Sequence, residues 1–218
     1  MKKIFIFLML TLSVFASSQK EILMNAISTF DEFTVIPEES IPPKLLSNAK
    51  AIAIIPNVIK AGFFVGGRYG KGLLLVKNKN RWSDPLFIIL KGGSFGWQIG
   101  AQSIDIILVF KTKESVENIL NRKITLGADA SIAAGPVGRD AGAATDIKLH
   151  SQIYSYSRSK GLFLGLSLAG SIIELDEDAT IHFYKIKKYQ IRDIISGKIK
   201  KEDSLIKELK KRVYEYTN

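Results

Sequence analysis

The amino-acid sequence predicts an α+β fold, in which a glycine-rich, mainly antiparallel β-sheet or barrel-like core carries helices at its N- and C-terminal ends. Sixteen of the 17 glycines lie between Gly62 and Gly170, where short apolar or alternating runs are separated by turn residues. Both flanks instead repeat apolar residues every three or four positions, which is typical of amphipathic helices. The length of 218 residues is sufficient for one sizeable core.

The first sixteen residues have the pattern of a secretory signal peptide. The basic start Met1-Lys2-Lys3 precedes the apolar stretch 4–16, and the small residues Ser17 and Ser18 follow it. A helix of that stretch reaches only about 20 Å, which is too short for a bilayer core of about 30 Å. We therefore expect cleavage after Ala16 and export to the periplasm or the exterior, where the protein is soluble or peripheral on a membrane. A buried N-terminal helix or an uncleaved anchor is the alternative.

Two helices are expected before the sheet. Residues 19–33 carry an apolar stripe, and a second, short helix should begin near Pro43, because proline is favoured in the first turn. The inward positions of the two are Ile22, Leu23, Ala26, Ile27 and Phe30, and then Leu45, Leu46 and Ala49.

The middle of the chain is expected to form a series of short strands. The first should end at Pro56, and the polar run 77–80 should connect two strands of a hairpin. One helix, over 113–121, interrupts the series with Val116, Ile119 and Leu120 inward. The expected strands are 51–55, 63–68, 72–77, 86–90, 95–98, 104–110, 124–134, 147–157, 162–169 and 171–175.

The C-terminal segment is basic. Residues 185–218 contain eleven Lys or Arg against five Asp or Glu, and they predict two helices separated at Gly197. The last helix either packs on the sheet with a solvated basic face or lies on anionic lipid. The expected organisation is a signal peptide (1–16), an N-terminal helical segment (17–48), a β-rich core (49–178) and basic C-terminal helices packed on the core (179–218).

Composition excludes several classes of protein. The absence of Cys excludes disulfides, thiolate metal sites, a Cys nucleophile and a lipid-modified N-terminal Cys. With only two His residues, a multi-histidine metal site is not expected, and neither is a cofactor. The net charge of +10 favours an anionic partner, either a membrane surface or a nucleic acid. Nucleic acid is not expected for an exported chain without a helix-turn-helix, RRM or KH signature.

Two short motifs are typical of enzymes, and each lacks the surrounding structure that its chemistry needs. Residues 92–96 match G-x-S-x-G, and Ser94, Asp176 and His182 follow the hydrolase order, but the residues after Ser94 favour a strand where a nucleophile elbow needs a helix. Tyr156 and Lys160 match Tyr-x-x-x-Lys of dehydrogenases, yet no dinucleotide-binding loop precedes them. We therefore expect no enzyme activity, with a serine hydrolase as a remote alternative.

Cationic residues beside glycine turns are the remaining candidates for a site. Arginine and lysine there can approach a phosphate closely, with backbone N–H groups as further donors. Ordinary surface charge is the alternative for each one. The candidates are Lys60, Arg68, Lys71, Arg139, Arg158 and Lys160, with Tyr69, Trp82 and Trp97 nearby in sequence.

Eight ordered blocks of sequence resemble the SYLF family of lipid-binding domains. They are AIAIIP (51–56), KAG (60–62), GGRYGKG (66–72), WSDP (82–85), GSFGWQIGAQ (93–102), LGADA (126–130), AGPVGR (134–139) and YSYSRSKGLF (154–163). The resemblance implies a non-enzymatic module, since eukaryotic members bind phosphoinositide-containing membranes and some yeast relatives are described as actin-binding. It also implies that an N-terminal amphipathic segment, here 19–33, and basic residues contact the lipid.

These observations predict a non-enzymatic protein that associates with anionic phospholipid at the cell envelope. Basic residues would supply the attraction, and apolar or aromatic residues would insert at the interface. The alternative is a structural or interaction protein of the envelope that binds a protein partner or an acidic polymer.

Overall fold

The computed structural model describes residues 18–35, 40–79, 81–121, 123–137, 150–159, 162–163 and 167–217. It describes no side chains at 63–65, 94–100 and 163. The predicted signal peptide lies outside the described residues, as do Arg139 and Lys160 of the predicted site. Their roles stay predictions.

The two N-terminal helices form where the apolar spacing predicts them. Helix α1 runs Gln19–Glu32, and the Ser18 hydroxyl and the Glu21 carboxylate form a capping box at its start. Helix α2 runs Pro43–Ser47, with Pro43 in the first turn, where its missing N–H costs no helical hydrogen bond. Both helices turn apolar side chains into the core, namely Ile22, Leu23, Ala26, Phe30, Leu45 and Leu46.

Two long strands replace the series of short strands predicted for the middle of the chain. Strand β1 runs Ala51–Asn78, and it pairs antiparallel with strand β3, Leu86–Phe110. The prediction of separate strands is therefore wrong at Pro56 and at the glycines that follow it. The predicted hairpin connection after β1 is confirmed as far as Lys79, whose positive φ of 55° begins the turn.

At Pro56 the β1–β3 ladder bulges and continues. The register between the strands shifts between Ile55 and Val58. Proline cannot donate to a ladder, and a bulge is one of the few places where a strand tolerates it. Asn57 adopts a φ of 52° there, and its backbone N–H donates to Asp105 Oδ1 over 2.8 Å. This side-chain acceptor replaces the ladder bond that the bulge removes.

Glycine allows the two halves of β1 to approach each other as the strand curls. A Cβ atom at Gly72 would lie 2.4 Å from the carbonyl oxygen of Ile54 and 2.8 Å from Ile55 Cα. A Cβ at Gly70 would lie 2.7 Å from Val58 Cγ2. No ordinary side chain fits so close to a backbone, so glycine is required at Gly72. The glycines predicted to end strands therefore permit one strand to bend.

Six shorter strands complete the sheet. The path of neighbouring strands is β2-β1-β3-β6-β5, with β7 paired to β6 and β8 paired to both β3 and β4. Every pairing between these strands is antiparallel except that of β5 with β6. The predicted α+β fold with a curled, mainly antiparallel sheet is thereby confirmed. The six are β2 Arg81–Trp82, β4 Ile124–Thr125, β5 Ile132–Ala134, β6 Ile153–Ser159, β7 Leu162–Phe163 and β8 Ile172–Leu175.

The single strand predicted over 124–134 is interrupted by a turn. Gly127 has a φ of +85°, a conformation that few residues other than glycine adopt. The Asp129 carboxylate accepts the backbone N–H of Thr125 over 2.7 Å. This local hydrogen bond closes the turn and separates β4 from β5.

In the described part of the chain, one helix lies within the series of strands, and three α-helices follow the last strand. Helix α3, Lys113–Asn121, has the predicted limits. Helix α4, Glu177–Tyr184, was not expected, although Asp176 caps it by accepting the Ala179 N–H over 3.1 Å. Beyond it, a 3₁₀ turn (Lys188–Gln190) leads into α5, Ile191–Ser196, which ends at Gly197 as predicted, with a φ of 77°. The last helix, α6, runs Ser204–Thr217.

Helix α6 packs against the body of the protein with its apolar stripe. Ile206, Leu209 and Val213 are buried, and the rings of Phe30 and Tyr216 lie edge to face at 6.0 Å between centroids. Its neighbours are α1, α2 and β2. Of the two placements left open by the sequence, the structure shows the helix docked with a solvated basic face.

Two buried tyrosines are expected to respond in opposite directions to removal of their hydroxyl groups. Tyr156 is 2% exposed and its hydroxyl has no hydrogen-bond partner among the described residues, whereas the Tyr184 hydroxyl donates to the Pro85 carbonyl over 2.8 Å. Tyr156→Phe should therefore leave stability unchanged or raise it by up to about 1 kcal/mol, and Tyr184→Phe should lower it by about 1 kcal/mol. Urea unfolding at pH 7 measures both effects. If Tyr156→Phe lowered the free energy of unfolding more than Tyr184→Phe does, the Tyr156 hydroxyl could not be the unpaired one.

The same two tyrosines predict a loss of stability at alkaline pH. Burial raises the pKa of both phenols above the ordinary value near 10. The folded protein then retains protons that the unfolded chain releases, so the free energy of unfolding falls as pH rises above about 10. Each tyrosine contributes a slope of about 1.4 kcal/mol per pH unit there. Urea unfolding between pH 9 and pH 12 should show a shallower slope for Tyr156→Phe than for the parent protein.

Candidate anion-binding cleft

Two of the cations predicted from the sequence are buried inside the protein. Arg68, in β1, is 8% exposed, and its Nη1 donates to the Ser167 carbonyl over 2.8 Å. Arg158, in β6, is 4% exposed, and its Nη1 donates to the carbonyl of Glu32 at the end of α1. The Arg158 guanidinium also lies 5.8 Å from the centre of the Phe33 ring. Both guanidinium groups therefore contribute to the internal structure.

The two predicted lysines within the described residues lie on β1. Lys60 is half-buried opposite Gln102 of β3. Lys71 forms an ion pair with Asp176 at 3.3 Å. Because Arg68 and Lys71 are three residues apart, their side chains leave opposite faces of the strand. The structure does not gather them on one face, and lipid contact by the six predicted cations stays a prediction.

The backbone around the two enzyme-like motifs is β-strand. Ser94 lies within β3, where it pairs with Gly66 in the antiparallel ladder, so no strand-to-helix elbow forms there. Tyr156 is buried in strand β6, whereas the dehydrogenase pair needs a helix. His182 is exposed on α4. The local structure that either chemistry requires is thus missing at these positions.

A cleft with a basic rim lies between the β1–β2 hairpin and the C-terminal helices. It consists of two adjacent cavities, of about 590 and 370 Å³, which share five lining residues. Those shared residues are Arg81, Trp82, Asp84, Lys200 and Lys210. We refer to the two cavities together as the basic cleft.

Among the described residues, seven cations and two carboxylates line the basic cleft. This imbalance, within one concave surface, gives a positive local potential that attracts anions. The cations come from the hairpin and from the start of α6 with the loop that precedes it. They are Lys79, Arg81, Lys200, Lys201, Lys207, Lys210 and Lys211, and the carboxylates are Asp84 and Glu202.

Asp84 joins the two walls of the cleft. It is 4% exposed, and its carboxylate accepts Lys210 Nζ over 2.7 Å and the backbone N–H of Lys201 over 3.0 Å. The Lys201 ammonium in turn donates to the Phe183 carbonyl over 2.8 Å, and Lys207 pairs with Glu202. These contacts hold the loop before α6 and the helix itself against the hairpin.

Three of the lining cations make no hydrogen bond or ion pair within the described part of the chain. Lys79 and Arg81 belong to the hairpin, and Lys200 belongs to the loop before α6. All three are exposed. They can therefore approach an anion without breaking an internal contact.

Apolar and aromatic side chains lie beneath the basic rim. Trp82 is buried, and its indole N–H donates to the Thr217 hydroxyl over 2.9 Å, which fixes the ring against α6. Ile195 and Ile206 line the cleft beside it, and the Tyr214 ring is 55% exposed at its edge. A wall of this kind below a ring of cations suits a molecule with an anionic head and an apolar body.

The basic cleft cannot be predicted from the sequence alone because its two walls are far apart along the chain. Trp82 and Lys200 are separated by more than a hundred residues, and only the folded chain shows that they meet. The available signal was a pair of short basic runs, one in the hairpin (77–81) and one after Gly197 (198–201).

Among the described residues, no helix is both long enough and apolar enough to cross a bilayer. The same residues contain no group of three or more His, Asp or Glu side chains that could hold a metal ion.

Comparison with known proteins identifies relatives of this chain. The family model described as "Ysc84: Las17-binding protein actin regulator" matches residues 91–215. An SH3 domain-containing protein of Schizosaccharomyces pombe is 38% identical over 156 residues, which cover 70% of this chain and 36% of that protein. Protein YSC84 of Saccharomyces cerevisiae is 36% identical over 187 residues, which cover 83% of this chain and 40% of that protein.

A third relative is named for a partner. LAS seventeen-binding protein 3 of Saccharomyces cerevisiae is 35% identical over 186 residues, which cover 82% of this chain and 40% of that protein. The chain thus spans about two fifths or less of the length of these three relatives.

Proposed function

The chain belongs to the Ysc84 family, also called the SYLF family, and from this premise we propose that it is a non-enzymatic module that binds anionic phospholipid through the basic cleft. One observation carries the proposal: three exposed cations that have no hydrogen-bond or ion-pair partner within the described part of the chain line a cleft whose inner wall is apolar. Lipid headgroups provide the negative charge for the rim, and the apolar part of the lipid fits the wall formed by Trp82 and its neighbours.

Electrostatics supplies most of the attraction in this proposal. A basic residue close to an anionic membrane contributes about 1 kcal/mol, and this contribution is screened within a Debye length. Lys79, Arg81 and Lys200 can all contribute, because none of them must first give up an internal ion pair. The Tyr214 ring at the edge of the cleft suits the interface between headgroups and acyl chains.

The location of the protein belongs to the same proposal. The signal-peptide pattern at residues 1–16 supports export, so the membrane it meets is one of the cell envelope. There the ligand is an anionic phospholipid of the envelope rather than a phosphoinositide. Processing is tested by mass spectrometry of the protein recovered from cells, with Ser17 as the expected N-terminal residue.

Co-sedimentation with vesicles tests the lipid proposal. Residues 17–218 are mixed with zwitterionic vesicles or with anionic vesicles at about 50 and 300 mM NaCl, a range over which exposed charges become strongly screened. We expect binding to anionic vesicles only, with clear weakening at the higher salt. Absence of binding to anionic vesicles at low salt, or equal binding to both vesicle types, would overturn the proposal.

A protein partner is the second candidate function, and the name of a relative favours it. LAS seventeen-binding protein 3 matches 82% of this chain, yet most of that protein's length lies outside the match. Its partner can therefore be bound by either part. Purified Las17 passed over the immobilised chain is the discriminating measurement, since capture would assign partner binding to the matched part. Failure to capture it, with vesicle binding intact, would leave the lipid function alone.

A further inference from the structure

The larger cavity of the basic cleft holds the charge that is free to meet a ligand. Lys79, Arg81 and Lys200, which make no hydrogen bond or ion pair within the described part of the chain, all line this cavity of about 590 Å³. The exposed Asn78 and Ser196 line it as well. The larger cavity therefore combines uncompensated positive charge with polar groups that can bind the hydroxyls of a headgroup.

The smaller cavity, of about 370 Å³, is different in character. Three cations among the described residues line it without lining the larger one, and each already has an internal partner, either a backbone carbonyl or a carboxylate within 4.0 Å. They are Lys201, Lys207 and Lys211. Ile206 and Tyr214 also line this cavity and not the larger one. Apart from the residues that the two cavities share, the smaller one therefore suits a hydrocarbon chain better than an anion.

Trp82 connects the two cavities, because it lines both. It is 5% exposed, and the hydrogen bond from its indole N–H to Thr217 fixes the ring. Asp84 belongs to the same shared wall, and Lys210 compensates its charge over 2.7 Å, so it opposes an anion only weakly. One molecule can therefore extend from the larger cavity across the indole into the smaller one.

We propose that the basic cleft takes up a single lysophospholipid, with its phosphate headgroup in the larger cavity and its one acyl chain in the smaller cavity. This inference rests on the proposed lipid function and specifies the ligand and its orientation. Arg81 offers parallel N–H groups to two phosphate oxygens, and Lys79 and Lys200 are further donors. The smaller cavity has room for one acyl chain of moderate length, so a lipid with two chains would leave the second outside it.

Isothermal titration calorimetry of residues 17–218 tests this ligand. The probes are glycerol 3-phosphate and lysophosphatidates with acyl chains of about six, nine and twelve carbons, all below their critical micelle concentrations. We expect one molecule to bind per protein chain, with an affinity that rises up to about fourfold for each added methylene until the smaller cavity is filled. An affinity that does not depend on chain length, or the binding of several molecules per protein chain, would overturn the inference.

Two variants separate the headgroup contacts from the chain contacts. Lys79→Gln combined with Lys200→Gln should weaken the binding of every probe by a similar factor, at least about tenfold. Tyr214→Ala should weaken the longest probe about threefold or more and glycerol 3-phosphate far less. Tyr189→Ala is the matched control, because Tyr189 is also exposed and lies outside the cleft. Equal effects of the two tyrosine variants would show that the chain does not lie in the smaller cavity.

The fluorescence of Trp82 reports the position of the acyl chain. The sequence contains two tryptophans, so Trp97→Phe leaves Trp82 as the remaining one. A lysophosphatidate with bromine atoms on its chain should quench this emission, and the same lipid without bromine should not. If Trp97→Phe fails to fold, partial quenching in the parent protein gives the same answer. Absence of quenching at a saturating concentration would place the chain outside the cleft and overturn the inference.

The inference and its premise can fail separately. Binding to anionic vesicles without binding of any lysophosphatidate would overturn the inference and leave the proposed function in place, whereas loss of both would overturn both. Dodecanoate carries a carboxylate on a chain of the same length, and it should bind at least about tenfold more weakly than the longest lysophosphatidate, because the three cations meet a smaller charge. Equal binding of dodecanoate would make the ligand a fatty acid and overturn the assignment of a phosphate headgroup.

Discussion

Replacing Gly72 with alanine is expected to lower the free energy of unfolding by about 3 kcal/mol or more. The new methyl group would lie 2.4 Å from the carbonyl oxygen of Ile54 and 2.8 Å from Ile55 Cα. Both atoms belong to the backbone of β1 and cannot rotate away, so the curl of the strand must open. Thermal unfolding followed by circular dichroism measures the loss, which corresponds to a fall in Tm of about 6–12 °C for a domain of this size.

Gly93 provides a matched control for this substitution. It lies in the long strand β3, and a Cβ atom there would have no atom of the other described residues within 4 Å, apart from its two neighbours in the chain. Gly93→Ala should therefore change stability little, and its restriction of the unfolded chain acts in the stabilising direction. If both substitutions lowered the free energy of unfolding equally, the close approach of the two halves of β1 at Gly72 could not be the cause of the loss.

The helices were predicted accurately because their signals are local. Helix α3 has the predicted limits, since Val116 and Ile119 repeat within one turn of each other and point inward. The end of α5 at Gly197 follows from one residue that adopts a positive φ. Helix α4 is hard to predict because it has few apolar positions. Asp176, which caps the start of the helix, is the one local feature that indicates it.

The long strands could not be predicted from local signals. Pro56 ends a strand in most contexts. Here it sits at a bulge whose geometry depends on the partner strand and on Asp105, which lies 48 residues after Asn57, the residue it binds. Gly70 and Gly72 similarly resemble turn residues. Whether a glycine bends a strand or ends it depends on the segment that packs against the glycine. Local sequence does not specify that segment.

The orientation of the predicted site residues also depends on long-range structure. The glycine neighbours of Arg68 and Lys71 predict exposed cations. Whether a strand residue faces inward, however, depends on the register of the strand, and a shift of one residue reverses every face. Arg68 faces inward and Lys71 pairs with Asp176. The basic composition of the C-terminal segment is evident from the sequence. Its contact with the β1–β2 hairpin is a long-range feature that only the folded structure shows.

Reversing the charge of the three unpaired cations of the cleft is expected to abolish most of the binding to anionic vesicles. The triple variant carries Lys79→Glu, Arg81→Glu and Lys200→Glu. At about 1 kcal/mol of attraction for each basic residue near an anionic surface, loss of the three contributions weakens binding about a hundredfold, and the introduced carboxylates add repulsion. The variant should fold normally, because these side chains are exposed and make no internal ion pair within the described residues.

A second triple variant with the same change in net charge distinguishes a local site from a general attraction. Lys44, Lys113 and Lys123 are exposed and lie outside the basic cleft. If the cleft binds lipid, Lys44→Glu, Lys113→Glu and Lys123→Glu should weaken vesicle binding far less than the cleft variant does. Equal weakening would mean that the overall positive charge of the protein, rather than the cleft, draws it to the membrane. The ratio of the two affinities, measured at one salt concentration, therefore decides whether the cleft is a binding site or only part of a basic surface.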